Sequence, residues 1–218
     1  VKRQRSRVDA PAMRSLPADT AKGIEMHHLF FDTETTGFPK PWMPWDHPDQ
    51  PYIVQLAAML CDDSGNVLNS INFIINNGVD IPKVCSDIHG ITREKAESFG
   101  VKPDVAITPF MDMLAMSGQI VAHNVKFDVQ MMDLSLARRK GSPNPMNSKT
   151  FCTMEAAKPV VKCPPTEKMK TAGNNSFKAP KLEECIRFFF NEPLDGAHDA
   201  MVDVIGCKRV FFKLREAA

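Results

Sequence analysis

Two acidic side chains stand where an apolar strand should end. Phe31-Asp32-Thr33-Glu34-Thr35-Thr36-Gly37 continues the short apolar run that starts at Leu29. Acids are depleted in strands, and a buried carboxylate without a partner is costly. Residues i and i+2 of a strand face the same way, about 6.6 Å apart along it. Asp32 and Glu34 can therefore bracket one cation from two positions. An exposed acidic strand end would use the same residues with no ligand at all. Gly37 permits a tight turn close to a ligand.

Two further blocks carry acids in unusual places. His123-Asn124-Val125-Lys126-Phe127-Asp128 follows the apolar run 119–122 and opens a helical pattern. Asp128 falls in the first turn, where the helix dipole favours a carboxylate, and a plain helix-start role would explain it equally. Gly196-Ala197-His198-Asp199-Ala200-Met201-Val202-Asp203 is the third block. Asp203 shares a helical face with Cys207, Val210 and Leu214, an apolar stripe that a solvated acid would avoid. His198 lies five residues earlier, about 140° away at ~100° per residue. The two can serve one site only if His198 sits in a loop before the regular helix. A helix cap and a surface acid are the alternative.

The elements that must position these blocks read as a mixed α/β fold. Strands are expected at 29–31, 52–61, 67–75, 119–122 and 150–153, with 52–75 forming a hairpin around Asp62-Asp63-Ser64-Gly65-Asn66. Helices are expected near 83–88, 104–117, 126–139, 181–190 and 198–215. A Pro- and Trp-rich loop spans 38–51. Residues 158–181 read as a mobile loop in which six lysines (158, 162, 168, 170, 178 and 181) face one acid, Glu167. Residues 1–26 read as a basic, disordered arm, and 27–218 as one domain.

Together the three blocks resemble the DEDDh group of DnaQ-like, RNase H-fold 3′–5′ exonucleases, whose best-known relative is the proofreading epsilon subunit of bacterial DNA polymerase III. The motifs are D-x-E-T-T-G at Asp32, H-N-x-x-F-D at His123 and A-H-D-A-x-x-D at Ala197, with His89-Gly90-Ile91-Thr92 as a further match. The resemblance covers residues 28–215. It implies an RNase H-like mixed five-stranded sheet flanked by helices. It also implies that Asp32, Glu34, Asp128 and Asp203 converge on two divalent cations, with His198 as the general base. If the four carboxylates do converge, each pair repels by ~4 kcal/mol at ~4 Å and an effective dielectric of ~20. Six such pairs exceed the ~5–15 kcal/mol stability of a typical domain, so the site must hold cations, take up protons or splay. Oxygen-only ligands suit Mg²⁺ or Mn²⁺. A histidine with its ordinary pKa of ~6.5 is available in neutral form near pH 7.

The same resemblance places the backbone around Thr35 near a terminal 3′-OH and Phe38 against terminal bases. It makes His89 and Asn124 contacts to the sugar–phosphate backbone. Ordinary loop packing for Phe38 and a satisfied structural role for His89 or His123 are the competing readings. Trp42 and Trp45 would stack bases or pack locally. The implied activity is hydrolysis of single-stranded DNA or frayed 3′ ends to nucleoside 5′-monophosphates, with proofreading beside a polymerase as one setting. RNA trimming, or a non-catalytic nucleic-acid-binding or polymerase-docking module of the same fold, are the alternatives.

Composition narrows the field further. Lys+Arg is 27 and Asp+Glu 26, a net charge of +1, which excludes a histone-like polycation and leaves any electrostatic grip to local patches. No run approaches the ~18 apolar residues of a membrane span. The six cysteines form no C-x-x-C pair, which argues against a zinc ribbon. With no apolar signal region after the basic start, the expectation is buried thiols in a reducing, cytoplasmic compartment.

Overall fold

A computed structural model describes residues 26–140 and 149–216. Apart from Met26, the expected basic arm lies outside these residues. Strand β1 (His28–Thr35) forms the middle of the sheet. It pairs antiparallel with β2 (Ile53–Cys61), which pairs antiparallel with β3 (Val67–Ile74). On its other side β1 runs parallel to β4 (Gln119–Ala122), and β4 parallel to β5 (Thr150–Cys152). The sheet order is β3-β2-β1-β4-β5, so the expected five-stranded mixed sheet forms.

Residues 26–140 also supply helices α1 (Lys83–His89), α2 (Arg93–Phe99), α3 (Pro103–Met116) and α4 (Val125–Lys140). After β5 come α5 (Thr153–Val161), α6 (Glu167–Thr171), α7 (Leu182–Phe190) and α8 (Ala200–Glu216). The period of two in the strands divides the core. Leu29, Phe31, Leu56 and Leu60 pack with α3 and α4 on one face. Phe30, Ala57, Met59 and Cys61 pack with Val204, Cys207 and Phe211 of α8 on the other. β2 is buried along its whole length, as a strand covered on both faces requires.

Two expectations need correction. Helix α2 is not among the expected helices; it is capped by the Thr92 hydroxyl, which accepts from Lys95 N–H at 3.2 Å. Segment 158–181 is not one loop: α5 runs into it and α6 lies within it, capped by Thr166. Three of its six lysines are also paired, Lys170 with Glu167 (2.7 Å), Lys178 with Glu184 and Lys181 with Glu183 (3.5 Å). The cysteines are free thiols, with Cys61, Cys163, Cys185 and Cys207 buried. Among the described residues no helix is long and apolar enough to cross a membrane.

Candidate active site

Strand β1 delivers the first two acids. Its burial alternates, so Asp32 and Glu34 are half-buried between buried Phe31, Thr33 and Thr35. They point to the face that α8 covers, the face of Phe30. Asp32 lies opposite Ala57 in β2 and Glu34 opposite Gln55. Alanine leaves room beside the Asp32 carboxylate that a larger neighbour would fill.

The parallel pairing of β1 and β4 brings the third acid. Phe30 is level with Val121, so the chain leaving β4 turns into α4 beside Asp32 and Thr33. Crevices outside the carboxyl ends of parallel strands are where open α/β sheets bind ligands. Asp128, in the first turn of α4, is 2% exposed. Its Oδ1 accepts from the Thr33 amide (3.0 Å) and the Thr33 hydroxyl (2.8 Å). Those two bonds tie α4 to β1 and fix the carboxylate. The turn before α4 needs Asn124 in the left-handed region, at φ 73°, a conformation asparagine tolerates better than most residues.

Helix α8 supplies Asp203, and the loop before it supplies His198. The residue lies outside the regular helix with φ 69°. Its amide donates to Asp203 Oδ2 at 3.1 Å. Glu34, His198 and Asp203 each place one ligand atom within 4.8 Å of the others. The cap of α8 is Asp199, whose Oδ1 accepts from the amides of Met201 (3.0 Å) and Val202 (3.3 Å). Gln55 locks that cap to the sheet: its Nε2 donates to Asp199 Oδ2 at 3.2 Å, and its Oε1 accepts from Ala200 N–H at 3.3 Å. The sequence pattern assigns no role to Gln55, Asp199 or Thr33. The one signal for Gln55 was a glutamine inside an otherwise apolar strand.

The four acids act on one another. Burial pushes Asp32 well above the ordinary carboxylate range, and Asp128, Asp203, Glu34 and Asp199 push it further. Glu34 is raised to about 8 by burial and by Asp203, Asp128 and Asp199. Asp128 is raised to about 7 by burial, against the two Thr33 hydrogen bonds that lower it. Asp203 is raised by burial, with the His198 amide and ring opposing. Carboxylates held together and short of positive charge form a hard, oxygen-rich donor set. It fits a divalent cation of the magnesium or manganese type.

Asp32 and Asp203 open onto a cleft of about 530 Å³ that His198, Asn124, Phe38 and Lys181 also line. Phe38 is 81% exposed, its ring 5.8 Å from that of Phe127. Asn124 is exposed on the same cleft. The Thr35 hydroxyl donates to the Gly37 carbonyl at 2.9 Å and so shapes the turn after β1. His89 has both ring nitrogens engaged: Nδ1 accepts from Ile91 N–H (3.1 Å) and Nε2 faces the Thr35 carbonyl (3.3 Å). It holds Thr35 in place and has no free nitrogen for a phosphate. His123 is engaged likewise, by the Thr153 hydroxyl (2.9 Å) and the Pro180 carbonyl (3.0 Å), and pins the segment before α7 to the end of β4.

Comparison with known proteins bears on the family and the fold. A sequence model described as Exonuclease (RNase_T) matches residues 29–211. No curated protein sequence matches the chain. Among solved structures, E. coli exonuclease I with a dT13 oligonucleotide superposes at a TM-score of 0.66 and 19% identity, covering 88% of this chain and 41% of that one. The same enzyme with a dA16 oligonucleotide gives 0.63 and 20%, covering 88% and 41%. Exonuclease I from Methylocaldum szegediense gives 0.64 and 20%, covering 88% and 40%. The chain thus spans about two fifths of the length of these proteins and shares their exonuclease-domain fold.

Proposed function

The chain belongs to the Exonuclease family, and on that premise we propose that it is a divalent-cation-dependent 3′–5′ exonuclease acting on DNA. Its substrates are single strands or frayed 3′ ends, and its products nucleoside 5′-monophosphates. The observation that carries this reading is that Asp32, Asp203 and His198 line one cleft, with Glu34 offering a ligand atom within 4.8 Å of those of His198 and Asp203 and Asp128 held against Thr33, the residue between Asp32 and Glu34. The DNA substrate draws support from the oligonucleotide complexes of the E. coli neighbour. A DEDDh assignment rests on the order of the motifs. Likeness to the epsilon subunit, and a proofreading role beside a polymerase, rest on that resemblance alone.

Asp32, Glu34, Asp128 and Asp203 would hold two cations, Mg²⁺ or Mn²⁺. When bound, these supply Lewis-acid polarisation of the phosphate and neutralise the charge that develops on it. The chain's own groups do the rest. His198 takes the proton of the attacking water as oxygen bonds to phosphorus and the P–O3′ bond breaks. The departing 3′ oxygen takes a proton from solvent, and the shortened strand keeps a free 3′-OH. Asp203 holds the His198 backbone, and Thr33 fixes Asp128, so both carboxylates meet the substrate already oriented. Phe38 offers an apolar surface to the terminal bases, Asn124 an amide to the sugar–phosphate, and the Thr35 turn, braced by His89, the backbone near the 3′-OH.

The test is the product ladder from 5′-labelled single-stranded DNA and matched RNA in Mg²⁺ and in EDTA. Stepwise shortening of the DNA in Mg²⁺ alone is the expected result. Preferential shortening of RNA would replace the DNA reading with RNA trimming. No shortening of either would favour a non-catalytic module.

A further inference from the structure

We propose that loop 38–51 is a rigid platform on which the bases of a single strand stack once its 3′ end lies in the cleft, with Trp42 as the main contact; this deepens the exonuclease reading and rests on it. The loop is built to hold one shape. Gln50 is 3% exposed, and its side chain spans the loop from inside. Its Oε1 accepts from Lys40 N–H at 2.9 Å, and its Nε2 donates to the Lys40 carbonyl at 2.8 Å, with the Met43 and Pro44 carbonyls at 3.3 and 3.4 Å. Main-chain bonds from Met43 to Lys40, His47 to Pro44 and Gln50 to His47 close three turns. Arg138 of α4 clamps the exit, donating to the Pro51 (2.9 Å) and Gln50 (2.7 Å) carbonyls with its guanidinium 3.7 Å over the Tyr52 ring.

All this order presents large rings to solvent. Trp42 is 76% exposed and Trp45 39%, although tryptophan is highly buried on average. Phe38, 81% exposed, lines both the catalytic cleft and a second groove of about 260 Å³ shared with Lys40, Pro48 and Gln50. The cleft and the loop therefore meet at Phe38. Trp42 is four residue steps from Phe38, at most ~14 Å, the span of about four stacked nucleotides.

The charges of the loop select the kind of contact. Lys40 is offset by Asp46 and Asp49, so the loop does not attract phosphates, and what it offers is aromatic faces. Base stacking on such faces changes affinity by about 5- to 150-fold per base and tolerates any sequence. Because the platform is already ordered, binding costs it little conformational freedom.

The chain has two tryptophans, both in this loop, so its tryptophan fluorescence reports on the loop alone. In EDTA, an oligothymidylate of about twelve residues should quench that fluorescence, and a dinucleotide should not. In Mg²⁺, Trp42→Ala should raise the KM for the longer strand about 5- to 150-fold. The factor should be the same at about 50 and about 200 mM salt, where a phosphate contact would weaken with salt. Trp42→Phe should recover most of the loss. Thymidine 5′-monophosphate p-nitrophenyl ester has no upstream base, and its hydrolysis should be unaffected. An unchanged KM with no quenching overturns the platform and leaves a protein partner as the occupant, while the exonuclease reading stands. Equal losses on the ester and the strand also overturn it. If the parent hydrolyses neither substrate, the exonuclease reading fails, and absence of quenching by the longer strand overturns the platform independently.

Discussion

Strand β1 carries acid chemistry at both ends, under opposite conditions. At its start, His28 Nε2 lies 2.9 Å from Asp63 Oδ1, and Arg215 of α8 donates to the same oxygen at 2.7 Å. Asp63 is held down to about 2, first by the Arg215 hydrogen bond and then by that of His28. At its end, Asp32 and Glu34 meet Asp128, Asp203 and Asp199, and burial with mutual repulsion drives Glu34 up to about 8 and Asp128 to about 7. The fold supplies an arginine where the carboxylate is structural and supplies further carboxylates where the cleft opens. That difference marks the second end as a place for mobile positive charge.

The largest effect comes from removing acids at one end and not the other. Asp32→Ala or Asp203→Ala should drop metal-dependent hydrolysis of a labelled single strand to the buffer background. Asp63→Ala should leave it within about twofold, since that acid pairs with His28 and Arg215 at the far end. Equal losses from all three would erase the contrast.

His198→Ala should lower kcat by about 10²–10⁴-fold, the range of a positioned general base, while Mn²⁺ affinity measured calorimetrically stays that of the parent. Lost Mn²⁺ binding would instead make His198 a ligand alongside Glu34 and Asp203, whose ligand atoms lie within 4.8 Å of it. Gln55→Leu should act through position. It frees the Asp199 cap and with it the His198 loop, lowering kcat by up to about 10²-fold with the KM of a nucleotide ester unchanged. A raised KM at constant kcat would assign Gln55 to binding.

The smallest effect is the most diagnostic of charge. The raised acids are protonated in the folded chain at pH values where the unfolded chain, near its ordinary ~4, has already ionised. The folded state then binds more protons, so stability falls as pH rises from about 4 to about 8. Asp63 works the other way: its contribution is present above about 4 and is lost as pH falls toward about 2. Metal-free protein should therefore show a falling Tm between about pH 5.5 and 8.5. Saturating Mg²⁺ should raise Tm by ~5–10 °C at the upper pH, and by less at the lower. A Tm gain independent of pH would separate Mg²⁺ binding from these carboxylates.

Much of this was legible because the informative residues break local rules. Acids inside a strand, an acid on an apolar helical stripe and a histidine about 140° off that acid's face are visible in a short window. The five strands and helices α1, α3, α4, α7 and α8 are legible from apolar runs, turn residues and helical spacing. Prolines hid α5 and α6, while α2 is a short helix of seven residues. Pro159 inside α5 and Pro164-Pro165 before α6 read as breakers, so folded helices passed for loop. The partner of Gln55 lies 144 residues away, and no local pattern joins them. The engaged nitrogens of His89 and His123 likewise depend on carbonyls brought in by the fold.

The central claim is that four distant carboxylates share divalent ions. A crystal soaked in Mn²⁺ with a nucleoside 5′-monophosphate, measured at the manganese absorption edge, tests it directly. The account predicts anomalous density bounded by oxygens of Asp32, Glu34, Asp128 and Asp203. Manganese density elsewhere on the surface, with these carboxylates turned apart, would contradict it.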